Sequence, residues 1–143
     1  PEGFGWTRRA NFRREGAPKP KVPHAENPIL PQIHRDYGMT PEAIAKAPAR
    51  LIAILSGFAS MLHKQKAAGS KYFVGDRLSA ADLYWACFSI MVKPQAQEDC
   101  AMPDYMQINY SAITPDVAAA LDPLLIEHRD LIFRQHIGLP LDF

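Results

Sequence analysis

The sequence predicts an all-α fold, a helical bundle that forms one domain over residues 1–143. Capping residues followed by proline open several segments, in which apolar residues recur at spacings of three and four. No series of alternating strand patterns bounded by hairpin turns occurs, and only Tyr72 to Val74 suggest a short extended piece. A chain of 143 residues is also near the commonest size of a domain with a single hydrophobic core.

The first long helix is predicted to begin at Thr40 and Pro41, a capping residue followed by a proline suited to the first turn. Its apolar stripe comprises Leu51, Leu55, Phe58 and Leu62. We expect it to end near Gly69, because glycine readily adopts the left-handed conformation that stops a helix. Pro48 either kinks this helix or divides it into a short and a long piece, and the sequence leaves both open.

The most clearly specified helix start is a capping box formed by Ser79 and Asp82. The Ser79 hydroxyl is expected to accept a hydrogen bond from the Asp82 backbone N–H, while the Asp82 carboxylate accepts from the backbone N–H of Ser79. Leu78 and Leu83 flank the box where a hydrophobic staple would pack. We therefore predict a structural role for Asp82 rather than that of a general base.

The helix that this box opens is predicted to run to Met91 and to stop before Pro94. Apolar residues occupy nearly every face of it, so we expect it to be the central helix of the bundle. Its aromatic residues are accordingly predicted to fill the core, with a pocket wall as the alternative. They are Tyr84, Trp85 and Phe88. Cys87 is expected to be buried and unreactive, because the residues around it are apolar.

The same combination of a capping residue and a proline predicts two further helices, one opened by Thr114 and one by Asp122. The second is expected to stop at Gly138. Its helical row comprises Leu124, His128, Leu131 and Gln135. Residues 94–113 lack periodicity and are predicted to be a loop, as is a polar stretch rich in proline. The prolines of that stretch are Pro18, Pro20, Pro23, Pro28 and Pro31.

Positive charge is concentrated at the amino terminus, because the first 21 residues carry six of the Lys and Arg residues in a chain whose net charge is +1. Helical spacing brings Trp6, Arg9 and Arg13 near one face, with Phe12 beside them. Arginines flanked by aromatic rings can hold an anionic aromatic compound through hydrogen bonds and cation–π contacts, so we predict substrate binding here. A solvated face, or a docking surface for another domain, is the alternative. The remaining arginines of the cluster are Arg8 and Arg14.

Composition argues against several other classes of function. The nearly neutral charge balance and the lack of a recognition motif disfavour nucleic acid binding. The longest apolar stretch, Leu51 to Leu62, is shorter than the roughly 18 to 20 residues of a membrane span. The two cysteines form no CxxC motif and no histidine pair has metal-ligand spacing, which predicts a reducing cytoplasm and no metal site. The lack of a leader and of a start methionine predicts that Pro1 lies inside a longer protein.

The segment from Lys71 to Asp82, KYFVGDRLSAAD, resembles the signature that enters the core helix in the carboxy-terminal domain of glutathione transferases. It combines the turn at Gly75, the capping box and the staple in the order found in that family. A long helix precedes it and further helices follow it, as in the family. The resemblance covers the chain from about Trp6 to Phe143.

This resemblance implies that the chain is the acceptor-binding and dimerisation domain of a cytoplasmic glutathione transferase-like protein, with its first helix beside the pocket for a hydrophobic or anionic aromatic substrate. In the family a thioredoxin-like domain binds the co-substrate glutathione and carries the residue that activates its thiol. The fragment is therefore expected to hold no cofactor and no catalytic residue, and to need that domain as a partner. Domains of this shape also serve as non-catalytic protein-interaction scaffolds or as ligand carriers, which are the alternatives.

Overall fold

The structure is a computed structural model that describes residues 3–13 and 30–141, except for the side chain of Leu30. Within those ranges it contains seven α-helices and one π-helical segment. They are α1 (Phe4–Asn11), α2 (Leu30–Asp36), α3 (Pro41–Ala67), α4 (Ala80–Ser89), α5 (Asp104–Ser111), α6 (Pro115–Ala119), α7 (Pro123–Ile132) and the π-helical segment Phe133–Ile137. The all-α class is confirmed for these residues, whose only β pairing is an isolated bridge between Cys100 and Leu141.

Helix α3 is a single helix that contains Pro48, so the proline does not divide it. Its start is the predicted one, because the Thr40 hydroxyl accepts a hydrogen bond from the Ala43 N–H at 3.2 Å. The helix ends at Ala67, just before Gly69, which has a φ of +83° and so adopts the left-handed conformation that stops a helix.

The core of the described residues lies along α3, which packs against α1, α6 and α7. Leu51 and Leu55 of α3 are completely buried there. Trp85 of α4 enters the same core, where its ring meets those of Phe4 and Phe58 edge-on at centroid distances of 5.5 and 5.6 Å. Its Nε1–H donates to the Leu125 carbonyl of α7 at 2.9 Å. Helix α3, rather than α4, is therefore the central helix.

Helix α4 packs against α7, and its Trp85 ring contacts α1 and α3, but another side of the helix is exposed. The prediction that the aromatic side chains of α4 fill the core is therefore wrong for two of them. Tyr84 is 67% exposed and Phe88 38% exposed, and Cys87, predicted to be buried, is exposed as well. The helix also ends at Ser89, before the predicted end at Met91. A helix that is apolar on every face gives no indication of which faces its neighbours leave uncovered.

Residues 94–113 were predicted to be a loop, and this prediction is wrong for α5, which occupies Asp104–Ser111. No residue of α5 is buried, so its sequence shows no apolar stripe that would have indicated a helix. Its last carbonyl groups accept hydrogen bonds from the Arg8 guanidinium, which is remote in sequence.

Helix α2 was not predicted, and it includes Pro31, which was assigned to a loop. Gly38, with a φ of +67°, follows α2 and turns the chain toward α3. The other prolines of the predicted loop lie outside the described residues.

The last two helices begin as predicted. The Thr114 hydroxyl accepts from the Val117 N–H at 3.4 Å, and the Asp122 carboxylate accepts from the Leu124 N–H at 2.8 Å. Helix α7 continues into the π-helical segment, which ends at Ile137, and Gly138, with a φ of +99°, follows it.

By length and composition, α3 is the one helix among the described residues that could cross a membrane. The central helix of a soluble protein passes the same test, and α3 supplies Leu51, Leu55 and Leu62 to the core. The prediction from the sequence that the longest apolar stretch, Leu51 to Leu62, is too short to span a membrane therefore stays a prediction.

Candidate functional site

A cavity of about 670 Å³ lies between α1 and α2, and we call it the basic cavity. Its lining residues are Trp6, Arg9, Phe12, Arg13, Ile33, His34, Tyr37 and Met39. The first four are the residues that the sequence singled out as substrate-binding, and the structure places all of them at this one cavity. The opposite wall comes from α2 and the turn after it, which sequence reasoning missed.

A hydrogen bond joins the two walls of the basic cavity. The Trp6 indole Nε1–H donates to the Tyr37 carbonyl at 2.6 Å, across 31 residues of sequence. This contact fixes one edge of the indole and ties the end of α2 to α1. The Trp6 ring is half-buried, so part of its surface is available inside the cavity.

The basic cavity is positively charged at neutral pH. Burial lowers the pKa of the Arg13 guanidinium, which nevertheless stays protonated as arginine does in proteins. Burial, and secondarily the charge of Arg13, lower the pKa of His34 below its ordinary value of 6.5, which favours the neutral imidazole at pH 7. Arg9 is exposed and supplies a second cation. Among the described lining residues none is acidic, so the cavity favours an anion.

Phe12 is held on the protein side of the basic cavity. Its ring stacks on Tyr110 with centroids 6.0 Å apart, and the Arg8 guanidinium carbon lies 3.8 Å from its centroid. Because these neighbours already occupy the ring of Phe12, Trp6 is the better placed of the two aromatic residues to stack on a ligand.

Arg8 does not belong to the exposed basic cluster with which the sequence grouped it. Only 1% of this residue is exposed. Its Nε donates to the Met91 carbonyl at 2.6 Å, and its Nη2 donates to the Ala112 carbonyl at 3.1 Å. Arg8 is thus a buried anchor for the segments that follow α4 and α5. Arg14, the other arginine of the cluster, lies outside the described residues.

A second cavity, of about 510 Å³, lies between α1, α3 and α4, and we call it the apolar cavity. It is lined by Gly3, Phe4, Gly5, Trp6, Arg9, Phe58, Met61, Phe73, Ala81, Tyr84, Trp85 and Phe88. Tyr84 and Phe88 therefore form a pocket wall, which was the alternative to core filling. Arg9 is the only charged residue in this described lining, so the cavity suits an apolar group.

Trp6 and Arg9 border both cavities. Close by, Gly5 allows α1 and α4 to approach each other. A Cβ atom on Gly5 would lie 3.2 Å from Arg9 Nη1 and 3.3 Å from the nearest carbons of the Phe88 ring. The guanidinium group that borders both cavities therefore lies next to the aromatic wall of the apolar one.

Asp82 opens α4 but also joins two other parts of the chain. Its Oδ2 accepts from the Ser79 backbone N–H at 2.8 Å and from the Ser79 hydroxyl at 2.6 Å. The structure contains the capping box, although the contact from the Asp82 N–H to the Ser79 hydroxyl does not reach hydrogen-bond geometry. Its Oδ1 accepts from the Phe73 N–H at 2.8 Å and lies 2.8 Å from His128 Nε2. Asp82 is completely buried and lines neither cavity.

The wall contributed by α2 left only a weak signal in the sequence. Ile33 and Tyr37 are four residues apart, as on one helical face, and Gly38 marks a stop. Helix α2 has only seven residues and follows a stretch rich in proline, which concealed this pattern. Cys87, although exposed, lines neither cavity.

Comparison of the chain with protein-family models, with curated proteins and with solved structures finds no match.

Proposed function

We propose that this chain is the acceptor-binding domain of a cytoplasmic, dimeric glutathione transferase-like protein. In this proposal Trp6, Arg9, Phe12 and Arg13 bind an anionic aromatic substrate in the basic cavity. A separate thioredoxin-like domain binds glutathione and activates its thiol. The proposal rests on the resemblance of residues 71–82 to the family signature and on the geometry of the cavity.

The observation that carries the proposal is the convergence of two cations and an indole on one cavity without a lining acid among the described residues. A guanidinium group donates well-oriented hydrogen bonds to a carboxylate or sulfonate. An aromatic ring of the ligand can stack on Trp6, whose indole is fixed by the Tyr37 carbonyl. The cavity volume of about 670 Å³ is within the range of sites for small organic molecules.

The test is a fluorescence titration of the chain with anilinonaphthalene sulfonate, an anionic aromatic probe. We expect saturable binding that weakens about tenfold or more in Arg9→Gln and in Arg13→Gln, since each removes a charged hydrogen-bond donor. Arg35→Gln is the matched control, because Arg35 is exposed on α2 and lines neither cavity. Circular dichroism melts establish that each variant is folded. Absence of saturable binding, or binding that both cavity variants leave unchanged, contradicts the proposal.

One observation favours the second candidate, a protein-interaction scaffold. Met61, Tyr84 and Phe88 are large, exposed and close together on the apolar cavity, as side chains at a protein interface are. The two candidates differ in chemistry, because a scaffold consumes no electrophile. Glutathione-dependent turnover of an aromatic electrophile by the intact protein supports the transferase, and its absence supports the scaffold.

A further inference from the structure

We infer that the ligand of this site is an elongated amphiphilic acid, with its anionic head in the basic cavity and its apolar tail in the apolar cavity. This inference rests on the proposed function and deepens it by naming the substrate class. A compact aromatic anion would use the basic cavity alone, whereas the structure offers two adjoining cavities, one lined by two arginines and the other lined mostly by aromatic side chains.

The two cavities adjoin at the same two residues. Trp6 and Arg9 line both of them, so a ligand that contacts these side chains lies between Arg13 of the basic cavity and the aromatic side chains of the apolar cavity. Each cavity is of the size that takes a small organic molecule, at about 670 and 510 Å³. A ligand that occupies both cavities must be longer than a ligand that fills one of them.

The chemistry of the two ends is distinct. In the basic cavity, Arg9 and Arg13 carry the positive charge that arginine keeps in proteins, and burial lowers the pKa of His34, which favours its neutral form. The walls of the apolar cavity are largely aromatic, and the Tyr84 and Phe88 rings are exposed there. Burial of an alkyl chain would remove both the chain and these rings from water, which is the main source of affinity for an apolar group.

Gly5 provides a specific probe of the region where the two cavities meet. An alanine Cβ at this position would press against Arg9 Nη1 and the Phe88 ring, at 3.2 and 3.3 Å. Gly57, which is exposed on α3, lines neither cavity, and a Cβ there has no atom within 4 Å. Gly5→Ala therefore crowds the region around Arg9, where the two cavities adjoin, and Gly57→Ala is its matched control.

The experiment is calorimetric titration with hexanoate, octanoate, decanoate and dodecanoate below their micelle-forming concentrations. We expect affinity to rise by up to about fourfold for each added methylene group until the apolar cavity is full. Decanol, which has the same tail without the charge, should bind at least about tenfold more weakly than decanoate. Arg9→Gln should abolish that preference for the acid but leave the dependence on chain length.

Gly5→Ala should weaken dodecanoate binding by about fourfold or more, the contribution of at least one buried methylene group, and leave hexanoate nearly unchanged. Gly57→Ala should bind every acid as the wild type does. Thermal melts of both variants establish that they are folded, so that a change in affinity reports on the site.

The result that overturns the inference is an affinity that does not change with chain length, or a dependence on chain length that Gly5→Ala and Gly57→Ala change equally. If anilinonaphthalene sulfonate still binds in an arginine-dependent manner, only the amphiphile fails and the proposed function stands. If the binding of both the fatty acids and anilinonaphthalene sulfonate is independent of Arg9 and Arg13, the proposed function fails together with the inference.

Discussion

Asp82 and His128 form a completely enclosed pair, in which the carboxylate Oδ1 and the imidazole Nε2 are 2.8 Å apart and neither side chain is more than 2% exposed. The same Oδ1 accepts from the Phe73 N–H, and Oδ2 binds Ser79. One carboxylate therefore connects the start of α4, the segment before it and α7. The sequence predicts only the contact with Ser79.

Asp82→Asn should destabilise the protein, because one carboxylate oxygen becomes an NH₂ group that faces buried donors. We expect a loss of about 1 to 3 kcal/mol in unfolding free energy for Asn, the cost of a buried unsatisfied polar group. Asp82→Ala should cost more, about 3 kcal/mol or above, since it leaves the Phe73 and Ser79 N–H groups and His128 without this acceptor. Denaturant melts measure both values.

The matched control is Asp122→Ala, which removes a more exposed cap whose carboxylate binds the Leu124 N–H and His63. It should cost about 0.5 to 2 kcal/mol, as should Ser79→Ala. Equal losses for Asp82→Ala and Asp122→Ala would show that Asp82 is only a helix cap.

His128 should make the protein less stable in mild acid. Burial lowers the pKa of His128 below its ordinary 6.5, and the nearby Asp82 only partly opposes this effect. The unfolded chain therefore binds more protons than the folded one as the pH falls from about 6.5, so the free energy of unfolding decreases across that window. His128 Nδ1 is also buried without a hydrogen-bond partner among the described residues, so a proton there would be unsatisfied.

Denaturant melts of wild type and His128→Gln between about pH 7.5 and 5.5, a unit to either side of the ordinary histidine pKa, test this prediction. The glutamine amide can still donate to Asp82 but does not titrate, so its stability should fall less over this range. His63→Gln, at an exposed histidine, should retain the wild-type loss. An equal loss of unfolding free energy with falling pH in wild type and His128→Gln would show that His128 is not the cause.

Arg8→Lys should destabilise the protein although it preserves the charge. The guanidinium donates to carbonyls at Met91 and Ala112, positions that a single ammonium group cannot reach in the same geometry. We expect a loss of more than about 2 kcal/mol, and faster hydrogen exchange in α5 than in α3. Arg9→Lys, one residue along and exposed, should change stability by less than about 0.5 kcal/mol. An Arg8→Lys variant as stable as Arg9→Lys would contradict the anchoring role.

Local signals in the sequence were sufficient to locate several helix starts. Thr40, Thr114 and Asp122 each accept a hydrogen bond from a backbone N–H of the first turn, as their position before a proline predicts. The exposed side of α4 could not be predicted, because it depends on which neighbours pack against an apolar helix. Helix α5 was also missed, since its carbonyl groups are bound by Arg8 from 101 residues away.

The candidate site was predictable only on its α1 side. Helical spacing was enough to group Trp6, Arg9 and Arg13, because these residues are close in sequence. The basic cluster in the sequence wrongly included Arg8, because charge alone does not indicate that an arginine is buried among carbonyl groups. The wall formed by α2 depends on the contact between Trp6 and the Tyr37 carbonyl, which no local pattern indicates.

The chain by itself should not catalyse conjugation of glutathione. The proposal assigns thiol activation to a separate thioredoxin-like domain, and the four residues proposed to bind the acceptor include no thiol-activating group. The rate with glutathione and a generic aromatic electrophile should therefore equal the uncatalysed rate. Micromolar affinity for glutathione in calorimetry, or turnover above background, would show that the chain carries chemistry of its own.

The most direct test of the acceptor-binding role is steady-state kinetics of the intact protein with Arg9→Gln and Arg13→Gln. The account predicts glutathione-dependent turnover, with a KM for an anionic aromatic acceptor raised about tenfold in each variant and a KM for glutathione that is unchanged. Arg35→Gln should match the wild type for both substrates. Equal changes in the two KM values, or no glutathione-dependent turnover in the wild type, would contradict it.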